Sequence, residues 1–357
     1  MMSPTLIVPM AGKSLRLFQG KPKWMMTHPK TKNFLGIESI LGLKGGFKNI
    51  IFVTLREYEK EYHFLKGFEK CLENNNLDSI SHIYLLNQPT ASQSETVNRA
   101  IKKFKITGPI VVKDADNFFE LEINEFNNFV AIEKLENIGF TNPSNKSYIS
   151  LDNNNLITNI IEKKVISNTF SVGAYGFSDA KIFSKYFNKL QKEFSYVPVS
   201  ELYISYLIFN MILDGGAFET KQVKNYKDWG DQKSWDTYKK SYSTIFCDID
   251  GTLIENSSEN FPPYIGDGKP LIENIENIRN LKESGSQIIL TTSRPEKYRS
   301  ITKKELKKHL IPYDYLIMGL LHGKRILIND YSQSNKFPSA ESLNIFRNTG
   351  KISHFFD

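Results

Sequence analysis

The sequence is poor in cysteine: of its 357 residues, two, Cys71 and Cys247, carry a thiol. Neither sits in a C-x-x-C pair, which argues against a structural zinc site or a disulfide scaffold. A reducing cytoplasm is the expected setting. The six histidines show no metal-ligand spacing. Long hydrophobic runs are also missing. The most apolar stretch, Leu202 to Leu213, is broken by Ser205 and Asn210 and is shorter than the ~20 residues that cross a bilayer. It reads as a buried helix ending at Gly215-Gly216, and no membrane partner is expected. The opening M-M-S-P-T-L-I-V-P lacks a basic region and proline breaks its apolar run, so no signal peptide is expected. With 21 Gly and 14 Pro, both near ordinary usage, collagen-like and disordered-tail readings fail. No repeat occurs at solenoid or propeller periods. No charge of one sign dominates: 46 basic against 39 acidic residues leave a net +7. That excess is spread along the chain and suits acidic small molecules such as nucleotides and sugar phosphates. A nucleic-acid binder would show a clustered basic stripe, so nucleic acid is not an expected partner.

What is present is alternation. Short apolar runs (Leu6–Val8, Ile50–Thr54, His82–Leu86, Ile110–Val112) read as strands, and the longer amphipathic stretches Glu95–Phe104 and Glu201–Leu213 read as helices. That pattern predicts βαβ units and a mostly parallel sheet. A second series begins at Thr244. The strand Thr244–Asp248 is followed by a polar loop, Asn256–Lys269. Then come a helix over Leu271–Ser284, a strand over Gln287–Thr291, a helix at about Lys303–Leu310 and a strand over Arg325–Ile328. At roughly 150 residues per domain the length suits two domains, and the boundary is placed near 240, giving 1–240 and 241–357.

Two groups of residues carry chemistry. After the first strand comes P-M-A-G-K-S-L-R-L-F-Q-G-K-P-K. Gly12 lets backbone approach a phosphate closely, and exposed amides of the loop can cradle it. Lys13, Arg16, Lys21 and Lys23 bring four cations to the same loop, enough to offset most of a triphosphate's charge; the alternative is a basic surface turn. Further on, V-V-K-D-A-D ends a strand in Asp114 and Asp116. Spacing i, i+2 puts both carboxylates on one face, where they can share a divalent cation. In the second series D-I-D-G-T repeats the arrangement with Asp248 and Asp250, and Gly251 permits the sharp turn. Thr292, Lys324 and Asn329-Asp330 also lie at or near the C-terminal ends of expected strands, where open α/β sheets place their sites.

Residues 4–240 resemble the sugar-phosphate nucleotidyltransferase family. Ala11-Gly12, Arg16 and Pro22-Lys23 match its signature loop, with Ser14 and Leu15 as departures. Gln88-Pro89 and Ser92–Asn98 resemble its nucleobase-reading segment, E-K-K at Glu162–Lys164 its E-K-P segment, and K-D-W-G at Lys227–Gly230 its second metal element. The resemblance implies an N-terminal Rossmann-like, GT-A-like mixed-sheet fold. It implies nucleotide binding by Ala11, Gly12, Lys13, Gln88 and Ser92, and sugar-phosphate contacts by Glu162 and Lys163. Asp116 and Asp228 would hold Mg2+, for which Mn2+ can substitute. A sugar-phosphate oxygen would attack the α-phosphate of an NTP and release pyrophosphate, with Arg16 and Lys23 neutralising charge.

Residues 241–357 resemble the haloacid dehalogenase (HAD) superfamily. The resemblance implies a capless Rossmannoid unit in which Asp248 is the nucleophile and forms an aspartyl-phosphate. Asp250 is then the general acid and base, Thr292 binds phosphoryl oxygens and Lys324 orients the nucleophile. Asp248, Asp250, Asn329 and Asp330 would surround Mg2+. Asn329 departs from the usual acidic pair, and Lys324 lies later than the family's lysine; a solvated surface position is its alternative. The short span between Asp250 and Thr292 leaves room for a flap at Asn256–Lys269 but not for a cap domain. The whole chain reads as a bifunctional enzyme of capsule or surface-polysaccharide precursor synthesis. It would use an NTP, closest to the CTP-dependent branch with UTP and GTP left open, and a sugar or polyol phosphate. Homo-oligomerisation is left open. Two alternatives remain: a HAD-like unit kept as a non-catalytic scaffold, and a nucleotide-sugar-dependent glycosyltransferase.

Overall fold

The computed structural model describes residues 4–12, 21–138, 145–194, 201–330, 340–350 and 352. Lys13 and Arg16 therefore lie outside the described residues. The chain divides into two compact units, Met1–Trp235 and Asp236–Asp357.

The strands of the first unit are β1 (Thr5–Pro9), β2 (Leu43–Lys44), β3 (Asn49–Leu55), β4 (Ser81–Leu86), β5 (Ile110–Lys113), β6 (Asn117–Glu122), β7 (Phe129–Lys134), β8 (Ser147–Leu151), β9 (Ile157–Glu162), β10 (Thr169–Phe177), β11 (Glu219–Gln222) and β12 (Lys224–Asp228). Its helices are α1 (Leu35–Glu38), α2 (Arg56–Tyr62), α3 (Leu65–Asn74), α4 (Gln93–Phe104), α5 (Ala180–Phe194) and α6 (Ile204–Leu213), and α7 (Gln232–Lys240) runs across the division. The main sheet has the order β11-β7-β10-β5-β1-β3-β4, with β8 joined to β10 and β9 to β8. The half β5-β1-β3-β4 is parallel, as the alternation predicts. The other half is not: β10 runs antiparallel to β5, β7 and β8. The sheet is therefore mixed rather than mostly parallel.

Strand period explains the two cores. Ile7, Ile51, Val53 and Val112 point to one face with α4, α5 and α6. Leu6, Val8, Phe52 and Val111 point to the other with Trp24, Phe64 and Phe68. Both faces are buried, which is why these strands read as continuous apolar runs rather than polar-apolar alternation. The expected helix over Glu201–Leu213 forms from Ile204, with Ile204, Leu207, Ile208 and Met211 inward. Gly215, at φ +87°, lets the chain turn, and the Gly216 amide donates to the Met211 carbonyl at 2.8 Å. A smaller sheet, β12-β6-β2, matters for the site: it pairs Asp228 with Asn117.

The second unit contains β13 (Thr244–Asp248), α8 (Ile272–Glu283), β14 (Gln287–Thr291), α9 (Arg299–Lys308) and β15 (Tyr315–Ile317). The three strands are parallel in the order β13-β14-β15. The first four elements fall where the sequence puts them. The fifth does not. Arg325–Ile328 is not a strand, and Ile326, Leu327 and Ile328 are exposed. The place beside β14 is taken by Tyr315–Ile317, and the Arg325 guanidinium instead donates to the carbonyls of Leu321 and Gly323, both at 2.8 Å, curling the chain locally. Between β13 and β14 lie α8 and the loop 249–271, with no inserted cap domain.

The tail returns to this loop through one buried side chain. Asn274, fully buried on α8, donates to the carbonyls of Thr252 (2.7 Å) and Thr349 (2.8 Å) and accepts from the Ile352 amide (3.2 Å). Removing it strands three backbone groups. Asn274→Leu is expected to destabilise the second unit by roughly 1–3 kcal/mol; a thermal unfolding scan of the full chain, with that unit's transition several degrees lower, checks this.

Candidate active sites

The first unit holds a cavity of about 1100 Å3. Gly12, Lys23, Gln88, Ser92, Asp114, Asp116, Glu162, Lys163 and Asp228, all singled out in the sequence, line it together. Ala11 is buried just behind, with its carbonyl 3.4 Å from the Thr90 amide. Among the described residues a Cβ on Gly12 would meet nothing within 4 Å. Gln88 is exposed at the rim. Ser92 is buried and caps α4, its hydroxyl accepting from the Glu95 amide at 3.1 Å.

The acidic groups are positioned by two strand pairings. β5 ends at Lys113, the chain turns through Asp114–Asp116, and β6 starts at Asn117. The Lys113 ammonium, fully buried, braces that turn by donating to the Asp114 and Asn117 carbonyls (2.7 and 3.1 Å) and to Asn117 Oδ1 (2.6 Å). Burial pushes its pKa down to about 7, against the pull of Asp114 and Asp116. β12 then runs beside β6, and the Trp229 amide donates to the Asp116 carbonyl at 3.0 Å. A Cβ on Gly230 would lie 3.0 Å from Asp228 Oδ1 and 3.6 Å from Asp116 Oδ2. Two carboxylate oxygens thus converge beside Gly230, a hard oxygen donor pair of the kind that suits a divalent cation.

Two lysines neutralise these acids. Lys23 Nζ lies 3.1 Å from Asp116 Oδ2 and also donates to the Gly230 carbonyl. Lys146 Nζ lies 2.6 Å from Asp228 Oδ2 and 2.8 Å from the Tyr226 hydroxyl. Burial opposes the ionised form of Asp116, but Lys23 and then Lys146 hold its pKa below the ordinary carboxylate value. Asp114 goes the other way: burial and the Asp116 charge push it up to about 7, although Gln93 donates to it. Asp114 fits because β10 bulges at Gly173, whose φ is +79° and whose Cβ would sit 2.2 Å from Asp114 Oδ2. Lys146 and Gly173 carry no local signal of this role: the lysine lies in no motif, and the glycine acts through a strand distant in sequence; Gln93 lies in the Ser92–Asn98 segment, but its bond to Asp114 is set by the fold.

In the same cavity, Glu162 accepts from the hydroxyls of Ser147 (2.5 Å) and Ser205 (2.9 Å). Lys163, at φ +56°, reaches the Tyr203 hydroxyl at 2.5 Å. Together these residues offer a carboxylate, hydroxyls and a cation, the chemistry that a polyhydroxylated phosphate needs.

In the second unit Asp248 ends β13 and Asp250 follows in the turn at Gly251, whose φ is +85°. Burial and then the Asp250 charge push the Asp248 pKa up to about 6, with Arg325 and Arg294 pulling it back. Asp250 accepts from Ser257 Oγ (2.8 Å), Thr292 Oγ1 (3.0 Å) and the Arg294 guanidinium. Thr292 is fully buried with its hydroxyl on Asp250. Lys324 and Asn329-Asp330 lie on the exposed stretch that replaces the expected strand. Among the described residues no three or more His, Cys, Asp or Glu gather into a metal-holding group. Asp248 and Asp250 stand together at the turn, with Thr292 on Asp250. Cys247 is buried in the core, and burial pushes its thiol up to about 12; it is inert.

Gly173→Ala places a Cβ on the Asp114 carboxylate at a positive φ. The expected strain is roughly 1–3 kcal/mol, read as a lower melting temperature of the first unit, and Mn2+ binding measured by electron paramagnetic resonance should weaken as the acidic turn shifts.

Residues 245–346 match the family model of haloacid dehalogenase-like hydrolases. No curated relative matches the chain. Solved structures align over the N-terminal part. A nucleoside-diphosphate-sugar pyrophosphorylase from Vibrio cholerae RC9 shares 18% identity over 65% of this chain and 98% of its own, with a TM-score of 0.50. The inositol-1-phosphate CTP transferase from T. maritima shares 15% identity over 65% and 91%, with a TM-score of 0.49. At such identities the likeness concerns the fold. The chain joins a unit with the nucleotidyltransferase fold to a C-terminal unit that matches the haloacid dehalogenase-like hydrolases.

Proposed function

We propose that the first unit transfers a nucleotidyl group from an NTP to a sugar or polyol phosphate and that the second hydrolyses a phosphomonoester. The observation that carries the first half is the single cavity that gathers Gly12, Lys23, Asp116, Glu162, Lys163 and Asp228. Asp116 and Asp228 hold the divalent cation, Mg2+ with Mn2+ as its substitute, which when bound neutralises triphosphate charge. Lys23 stabilises charge on the departing pyrophosphate, together with Arg16. Lys163 anchors the acceptor phosphate and Glu162 its hydroxyls. Lys146 keeps Asp228 oriented. CTP is the nucleotide we propose, on the sequence resemblance alone, and precursor synthesis for a capsule or surface polysaccharide in the cytoplasm is the setting. No described helix is long and apolar enough to cross a membrane.

In the second unit Asp248 attacks phosphorus and Asp250 moves protons; Asp248, with Asp250 and Asn329-Asp330 as the sequence resemblance implies, would hold Mg2+, which would supply charge neutralisation. A second reading has its own support. The exposed position of Asn329-Asp330 favours a HAD-like unit retained as a scaffold.

One experiment separates these. The Asp248→Asn chain is incubated with Mg2+, each of four NTPs and a panel of hexose, heptose and polyol phosphates, and pyrophosphate is measured. Release is expected to require one NTP and one acceptor, and to fall at least 100-fold in Asp116→Asn, on the scale of one lost charge-stabilising group. Release with no pair sinks the transferase reading. If the parent hydrolyses the panel no faster than Asp248→Asn, the scaffold reading of the second unit stands instead.

A further inference from the structure

Asp250 has a neighbour that neither reading above assigns a task. The Arg294 side chain is 2% exposed. Its Nε donates to both Asp250 oxygens, at 3.1 and 2.9 Å, and its Nη2 donates to Asp250 Oδ1 at 2.7 Å and to Ser257 Oγ at 2.9 Å. Its Nη1 turns the other way, to Glu305 Oε2 at 2.6 Å and Thr302 Oγ1 at 3.3 Å on α9. Glu305 is 1% exposed, and its Oε1 has no hydrogen-bond partner. One guanidinium thus ties together the end of β14, the D-x-D turn, the loop Asn256–Lys269 and α9.

Burying an arginine with two carboxylates is expensive in desolvation, and apolar side chains of similar size fill such a space at less cost. What the arginine provides that they cannot is direction. A planar fork holds both oxygens of a carboxylate in one plane, whereas a carboxylate without it turns freely about its last torsion. Glu305, whose own charge rests on Arg294, locks the far side of the fork. Ser257 bonds both Arg294 and Asp250, so the loop Asn256–Lys269 is seated on the same assembly.

We propose that Arg294, backed by Glu305, is a positioning residue that sets the Asp250 carboxylate for proton transfer in the second unit. This rests on the phosphohydrolase reading. In the first step an Asp248 oxygen bonds to phosphorus, the bond from phosphorus to the leaving oxygen breaks, and the Asp250 proton passes to that oxygen. In the second, water attacks the aspartyl-phosphate, its proton passes to Asp250, the bond from phosphorus to the Asp248 oxygen breaks and inorganic phosphate leaves. Both transfers depend on where the Asp250 oxygens point.

The test uses the full chain with Mg2+ and two probes, glycerol 2-phosphate, whose alkoxide needs a proton to depart, and p-nitrophenyl phosphate, whose phenolate departs without one. Arg294→Lys keeps a charge beside Glu305 but loses the fork. Its kcat on glycerol 2-phosphate should fall about 10–100-fold, the scale for a lost orienting partner, with KM within about twofold, and clearly less on the nitrophenyl ester. In an Asp250→Asn background the same substitution should cost nothing further. Glu305→Gln, which keeps the shape, should lower kcat in the same sense and carries the test if Arg294→Lys does not fold. Unchanged kcat, equal losses on the two probes, or additive losses with Asp250→Asn overturn the positioning role alone. A parent no faster than Asp248→Asn on both probes overturns the phosphohydrolase reading and the positioning role with it.

Discussion

A carboxylate at the end of a buried strand has lost much of its water and must find positive charge, or stop being charged. The first unit is arranged around that constraint, and the half-buried Asp248 of the second meets a milder form of it. In the first, Asp114 and Asp116 follow a strand whose residues are all buried, and they differ in outcome because of their neighbours. Asp116 has the Lys23 ammonium at 3.1 Å and stays acidic. Asp114 has burial and a like charge against it and drifts towards neutrality. In the second, the nucleophile candidate Asp248 is raised by burial and by Asp250, while Asp250 itself is gripped by a buried guanidinium. The local folds follow from these needs: the bulge at Gly173 makes room for Asp114, and Lys113 turns its ammonium back to brace the acidic turn.

Much of this was readable along the chain. Asp114, Asp116, Asp248 and Asp250 declare themselves because a strand of period two, ended by acids at i and i+2, leaves few physical options. The parallel half of the sheet was readable for the same reason, since Leu6–Val8, Ile50–Thr54 and Ile110–Val112 are apolar on both faces. What was not readable depends on pairings between distant segments. K-D-W-G marks Asp228 in the sequence, but the pairing of β12 with β6 that sets it beside Asp116 is not encoded locally. Lys146 reaches Asp228 across 82 residues, and Arg294 reaches Asp250 across 44. Both cations look like ordinary surface charge in the sequence.

The misreading of Arg325–Ile328 has the same root. Four residues with three aliphatic side chains make a good strand by composition, and so does the shorter Tyr315–Ile317. Composition says which segments tolerate an extended conformation; it does not say which reaches the open edge of β14 first. Tyr315–Ile317 follows α9 after a short connection through Pro312, and that proximity decides the edge. Lys324 and Asn329-Asp330, whose roles were tied to the expected strand, lie instead on an exposed stretch without regular structure.

The two units meet the same electrostatic demand with different cations, and the difference fits different chemistry. Lys23 and Lys146 are single-point charges on flexible stems, 11% and 15% exposed, and both line the cavity. A lysine in that position can neutralise a carboxylate and still be reached by a phosphate, because its three donors are not committed to a plane. Nucleotidyl transfer asks for that, since the charge to be balanced arrives with the triphosphate and departs with pyrophosphate. Arg294 is the opposite case: nearly inaccessible, forked, and tied to Glu305 behind it. Such a group cannot follow a ligand, but it can hold a carboxylate still. Hydrolysis through an aspartyl-phosphate asks for that, since one carboxylate must give and then take a proton at nearly the same point in space. Reachable charge along the cavity of the first unit and fixed charge at the D-x-D turn of the second follow from the different burial of these three cations, and the proposed reactions would use each accordingly.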